Sequence, residues 1–182
     1  MKLFAIAGSL RKASHNRALL GHAAPIAEKH GASVDLAELR EFDIPLYDGD
    51  IEASSGVPDA VQRLKESIAG ADGLLIVTPE YNNSMPGVLK NTIDWLSRPP
   101  ADIKRVFGGR PVAIVGATPG QGGTRLSQAA WLPVVRYERL LPRPLEEVRR
   151  LLHVPAAHVV HPEGVVVDHM YSTAAAGAAA TS

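Results

Sequence analysis

The chain has 182 residues, 46% of them apolar and 21% charged, which is globular composition within the size of one domain. Its formal net charge is zero, so it has no general electrostatic attraction to nucleic acid or to an anionic membrane surface. It has no cysteine, which excludes disulfides, thiolate metal sites and thiol redox chemistry; a redox function requires a bound cofactor.

Leu3 to Ala7 is a continuous apolar run ending at Gly8-Ser9. It suits a strand buried on both faces and is too short for a signal-peptide core. No apolar stretch reaches the roughly 18 to 20 residues that span a bilayer, so a soluble, cytoplasmic protein with no membrane insertion is expected. Asn16 to His30 carries Ala18, Leu19, Leu20, Ala23, Ala24, Ile26 and Ala27 in a helical pattern. Pro25 predicts a kink or an early boundary there, and Gly31 a stop. Ser33 to Leu39 reads as a second strand. Glu41 to Val57, with Pro45, several aspartates and two glycines, reads as a long loop. Pro58 to Ala69 opens on proline and places Val61, Leu64 and Ile68 at helical spacing.

Leu74-Leu75-Ile76-Val77 is a third buried strand within Asp72 to Thr78. Gly87 to Leu96 reads as a helix; its Trp95 and Leu96 suit core, or, by the family resemblance described below, a dimer interface. Val112-Ala113-Ile114-Val115 marks a fourth strand, within Pro111 to Ala117. Arg125 to Leu140 reads as a helix interrupted by Pro133, and Leu145 to Leu152 as a short one. Val159-Val160 and Val165 to Val167 predict a last strand or hairpin. Residues 1–169 form one domain in this reading, and the Ala-rich stretch from Met170 to Ser182 is a frayed tail. His153, His158, His161 and His169 lack metal-ligand spacing.

Short apolar strands alternating with helices predict an α/β fold: a parallel sheet, doubly wound, with helices on both faces. Ligands of such sheets lie beyond the C-terminal strand ends at the switch point. Chemistry is therefore expected just after residues 7, 77 and 117.

The first of these loops, Gly8 to Arg17, offers the hydroxyls of Ser9 and Ser14, the Asn16 amide, and the cations Arg11, Lys12 and Arg17 before a helix start. Those groups suit a single phosphate, since neither the dinucleotide fingerprint nor the nucleoside triphosphate loop is present. The same Ser14 and Asn16 atoms also serve a plain helix cap. The second loop, Thr78 to Gly87, sets an aromatic ring, amides and a hydroxyl between two prolines. It suits a flat heteroaromatic ligand, and equally an ordinary polar loop. The third, Gly116 to Arg125, is rich in glycine, which lets backbone N–H groups approach a ligand.

Residues 79–98, PEYNNSMPGVLKNTIDWLSR, closely resemble the NADPH-dependent FMN reductase family and its pattern P-E-Y-N-x-S-x-P-G-x-L-K-N-x-I-D-W-L-S. Gly8-Ser9-Leu10-Arg11-x-x-Ser14-x-Asn16 resembles that family's phosphate loop, G-S-x-R-x-x-S-x-N. The family includes bacterial quinone, azo and chromate reductases.

The resemblance implies a flavodoxin-like three-layer sandwich, its five-stranded parallel sheet in the order 2-1-3-4-5; it covers roughly residues 1 to 130, and the C-terminal segment beyond is atypical of the family. It implies that Ser9, Arg11, Ser14 and Asn16 hold the FMN phosphate. It implies that Pro79, Glu80, Tyr81, Asn82 and Ser84 line the ribityl chain and ring, and that Gln121, Gly122 and Gly123 lie against the flavin. Asn83 stands where some relatives have tyrosine near the open flavin face. The implied activity is electron transfer from NADPH or NADH through FMN to a small-molecule acceptor: a quinone, azo compound, free flavin or metal oxyanion. A homodimer or homotetramer is also implied. The competing reading is a flavodoxin-type electron carrier with no NAD(P)H turnover of its own, although such carriers tend to be acidic and this chain is neutral.

Overall fold

The computed structural model describes residues 1–120, 122–138, 140–142 and 166–168. In chain order, β1 (Lys2–Ala7) leads to α1 (His15–Lys29), β2 (Ser33–Ala37), α2 (Gly49–Ser55), α3 (Asp59–Ala69) and β3 (Gly73–Val77). There follow α4 (Gly87–Leu96), α5 (Ile103–Val106), β4 (Pro111–Thr118), α6 (Arg125–Tyr137), β5 (Leu141–Pro142) and β6 (Val166–Asp168).

The sheet runs β2-β1-β3-β4-β5, and every neighbour along that path is parallel. Its register aligns Ile6, Ile76 and Ile114 across three strands. Successive residues of a strand point to opposite faces. Phe4 and Ile6 accordingly join Val61, Leu64, Ile68, Leu89, Ile93, Trp95 and Trp131 in the larger core, under α3, α4 and α6. Ala5 and Ala7 join Leu19, Leu20, Val77, Val115 and Ala117 in a smaller core under α1. Alanines on that face let α1 sit close to the sheet. Helices on both sides of a parallel sheet make the expected three-layer, flavodoxin-like arrangement.

Several boundaries differ from the sequence reading for identifiable reasons. Helix α1 runs through Pro25. Proline removes one N–H and crowds the Gly21 carbonyl, but both residues face solvent, where water replaces the lost bond. The stretch read as a loop from Glu41 to Val57 contains α2, whose start is capped by the Asp48 carboxylate on the Asp50 N–H at 2.8 Å. That helix buries no residue, so it has no apolar period to detect. Helix α6 ends at Tyr137 rather than Leu140, and Leu141–Pro142 forms the fifth parallel strand against Pro111 and Val112. Proline is tolerated on such an edge because it need not donate. The strand expected near Val165 to Val167 is β6, which pairs antiparallel with Gly116–Thr118 at the other end of β4. The expected helix over Leu145 to Leu152, the strand residues Val159-Val160, the four C-terminal histidines and the tail from Met170 lie outside the described residues.

Trp95 is fully buried and Leu96 nearly so, which places both in the core. The Trp95 indole donates to the Pro45 carbonyl at 2.9 Å, and Asn91 joins it by donating to the same carbonyl and accepting the Tyr47 N–H. Two residues of the 79–98 segment thus fasten the 45–47 loop over α4. Among the described residues, no helix is long and apolar enough to cross a membrane.

Candidate functional site

All three predicted loops emerge from the same end of the sheet. The strand ends are drawn together there: the Gly8 N–H donates to the Val77 carbonyl, and the Thr78 N–H to the Val115 carbonyl, each at 2.8 Å. Gly8 lets α4 come close to the first loop. A Cβ there would stand 2.7 Å from Leu89 Cδ2, so the first turn of α4 packs directly on the backbone of the first loop.

In the first loop Ser9 and Ser14 are buried and Arg11 is exposed. Ser14 is the N-cap of α1, its hydroxyl accepting the Arg17 N–H at 3.3 Å. The other N–H groups of that turn have no intrahelical acceptor, as helix geometry requires, and they carry the positive end of the helix dipole. Arg17 is committed elsewhere, bonding Glu38 and the Lys12 carbonyl. Arg11 and Lys12 remain as exposed cations of the loop. The Asn16 amide is buried and engaged at both ends: it donates to the Ala117 carbonyl and accepts the Ala117 N–H, each at 2.9 Å. Asn16 therefore ties the first loop to the end of β4.

In the second loop Tyr81 and Ser84 exchange backbone hydrogen bonds at 3.0 Å around Asn82 and Asn83, whose φ angles are 51° and 61°. Two successive positive φ values define a type I′ turn, which asparagine tolerates better than most residues. Both asparagines are exposed at its tip. The Tyr81 hydroxyl lies 3.4 Å from Ser9 Oγ, so the second loop reaches the first. Pro79 is buried, and Glu80 turns to α6, where its Oε2 accepts the N–H groups of Leu126 and Ser127 at 2.9 and 3.0 Å.

In the third loop Gly122 is exposed with open space where a side chain would be, while Gly123, at φ 67°, folds its N–H back on the Gly120 carbonyl. Gln121 lies outside the described residues. Arg125 bonds the Gly122 carbonyl through Nε at 3.0 Å.

Beneath these loops lies a polar network that apolar periodicity does not reveal. Thr78, Thr124, Ser127, Gln128 and Trp131 are all fully buried. The Trp131 indole donates to Thr78 Oγ1 at 3.0 Å, Ser127 Oγ lies 2.9 Å from the same oxygen, and Gln128 donates to Thr124 Oγ1 at 2.9 Å. Spacings of three and four from Thr124 to Trp131 were the available signal; they put these residues on one inward helical face. At Gly116 glycine is needed, since any Cβ there would collide with Thr124 Oγ1 and the Thr78 carbonyl.

Loops carrying hydroxyls, a helix N-terminus and an aromatic turn, gathered at the C-terminal edge of a doubly wound sheet, define a mononucleotide-binding flavodoxin-like domain. The sequence profile of NADPH-dependent FMN reductases matches residues 1–148, and the chain belongs to that family. It is 48% identical over 128 residues, 70% of its length, to an NAD(P)H-dependent FMN reductase of Pseudomonas aeruginosa. It is 39% identical over 163 residues, 90% of its length, to a 2-hydroxy-1,4-benzoquinone reductase of a Burkholderia species, covering 80% of that protein. The aligned part spans 65% of the Pseudomonas protein, just under two thirds. Among solved structures it is similar to FerB of Paracoccus denitrificans, a flavoenzyme NAD(P)H:(acceptor) oxidoreductase. The TM-score is 0.69 at 34% identity, over 78% of this chain and 74% of that one.

Proposed function

We propose that the protein is an FMN-dependent NAD(P)H oxidoreductase whose acceptors are quinones and similar small molecules. The observation that carries this reading is the meeting of the first two loops, Ser9 against Tyr81, beside the N-terminus of α1. The donor set fits the cofactor. A phosphate dianion needs several donors and positive charge, which Ser9, Ser14, Arg11 and the first-turn amides supply. A flat ring needs an apolar or aromatic face with polar groups at its edge, which Pro79, Tyr81, Asn82, Asn83 and Ser84 offer. Gly122 adds backbone that a ligand can approach without a side chain in the way.

FMN, when bound, supplies the hydride and electron chemistry; the protein contributes binding, orientation and electrostatics. In this reading Asn16 holds the phosphate loop in place through Ala117 rather than through a free amide. The exposed Asn83 leaves the rim of the site polar and low, open to a planar acceptor. The names of the Burkholderia and Pseudomonas relatives, and of FerB, favour a nicotinamide donor and a quinone-like acceptor. A homodimer or homotetramer belongs to the same proposal, and the exposed side chains of Leu46 and Tyr137 are apolar surface that assembly would cover. Steady-state oxidation of NADH and NADPH with an added benzoquinone tests the reading. Turnover by the purified protein alone supports it, and a requirement for a separate reductase replaces it with an electron carrier.

A further inference from the structure

Glu80 occupies the middle of the second loop, but its carboxylate serves a different element. Its Oε2 accepts both the Leu126 and Ser127 N–H groups at the start of α6. The residue in the N-cap position, Thr124, makes no side-chain cap of its own; its hydroxyl instead accepts from Gln128. Glu80 is therefore the cap of α6, supplied from 46 and 47 residues away in sequence. A carboxylate in that place satisfies two orphan donors and meets the positive end of the helix dipole.

Thr78, on the other side of Pro79, is gripped by the same helix. Its hydroxyl oxygen accepts from Trp131, adjoins Ser127 Oγ, and donates to the Pro79 carbonyl at 3.0 Å. The segment from Thr78 to Glu80 is thus held by α6 on both flanks of a rigid proline. The third loop runs directly into α6 through Thr124. Two loops that leave different strands consequently form one body.

We infer that Glu80 is a positioning residue of the cofactor site: it locks the Tyr81–Ser84 turn in register with Gly122 and Gly123 and acts on the cofactor only through that alignment. This rests on the FMN reading above. It differs from a flavin-lining role for Glu80, because the carboxylate is spent on backbone donors.

The test compares wild-type protein with Glu80→Ala and Glu80→Gln. The readouts are FMN affinity by fluorescence titration, the absorption maxima of bound flavin, and hydrogen exchange of the Leu126 and Ser127 amides without flavin. Glutamine keeps an oxygen that accepts the two N–H groups, whereas alanine leaves them without an acceptor. Alanine is expected to weaken FMN binding by about tenfold or more and to speed exchange of both amides by a similar factor. Glutamine is expected to restore affinity to within about threefold of wild type and to leave the flavin spectrum in place. If the alanine variant does not fold, the glutamine variant decides alone. Glutamine that binds FMN as poorly as alanine, or that moves the flavin maxima, means that the charge acts on the ring and overturns the inference. So does alanine with wild-type affinity. Wild-type protein that binds no FMN overturns the reading beneath it instead.

Discussion

Asn16 and Ala117 exchange two hydrogen bonds across the top of the sheet, from helix α1 to the end of strand β4. Asn16 is 4% exposed, so neither bond is readily replaced by water. Truncation to alanine removes both and strands the backbone N–H and carbonyl of Ala117. The expected cost of Asn16→Ala is about 2 to 4 kcal/mol in chemical denaturation. FMN affinity falls with it, because the first loop loses its anchor to the third. A variant with wild-type stability and weakened FMN binding would instead make Asn16 a direct phosphate ligand.

Gly116 tests the contact between the second and third loops. Its Cα lies where Thr124 and the Thr78 carbonyl leave no room for a methyl group. Gly116→Ala must push β4 away from α6 or displace Thr124. The expected loss is about 1 to 3 kcal/mol, as for other overpacked sites, with weaker FMN retention during gel filtration. Gly122→Ala, which meets open space, is the control for stability.

Glu138 sets a pH dependence far from the loops. It follows the last turn of α6, is 4% exposed, and its Oε2 has no hydrogen-bond partner among the described residues. Burial, reinforced by Asp94 and opposed by Lys90 and Arg98, pushes its carboxyl up from 4.5 to about 7. Between those values the folded protein holds a proton that the unfolded chain has released. Stability therefore falls as pH rises through this window, by on the order of 3 kcal/mol in all. Glu138→Gln mimics the protonated form. Thermal melts should show wild type losing Tm relative to the variant from about pH 5 to 8; parallel curves would contradict the assignment.

The parts of this architecture legible in sequence are those written in apolar periodicity. The runs at Leu3 to Ala7, Leu74 to Val77 and Val112 to Val115 are strands, and the loops after them converge as the switch-point rule requires. Helix α2 was not legible, because a helix that buries nothing carries no pattern. Strand β5 was not, because two residues ending in proline look like a helix terminus. Within the site, residue types were legible but not their commitments. The family resemblance sets Glu80 along the flavin, and its bonds to the Leu126 and Ser127 N–H groups, far away in sequence, carry no local signal. Asn16 likewise reads as a phosphate donor or a helix cap, and its pairing with Ala117, 101 residues away, has no local signal.

Electron transfer through FMN is measured in one anaerobic absorption experiment on the purified protein loaded with FMN. NADH or NADPH is added first, and a benzoquinone afterwards. A stoichiometric flavin is expected, whose visible band bleaches on addition of the nicotinamide and returns on addition of the quinone. Protein that fails to bind FMN, or bound flavin that neither nicotinamide bleaches, would contradict such transfer.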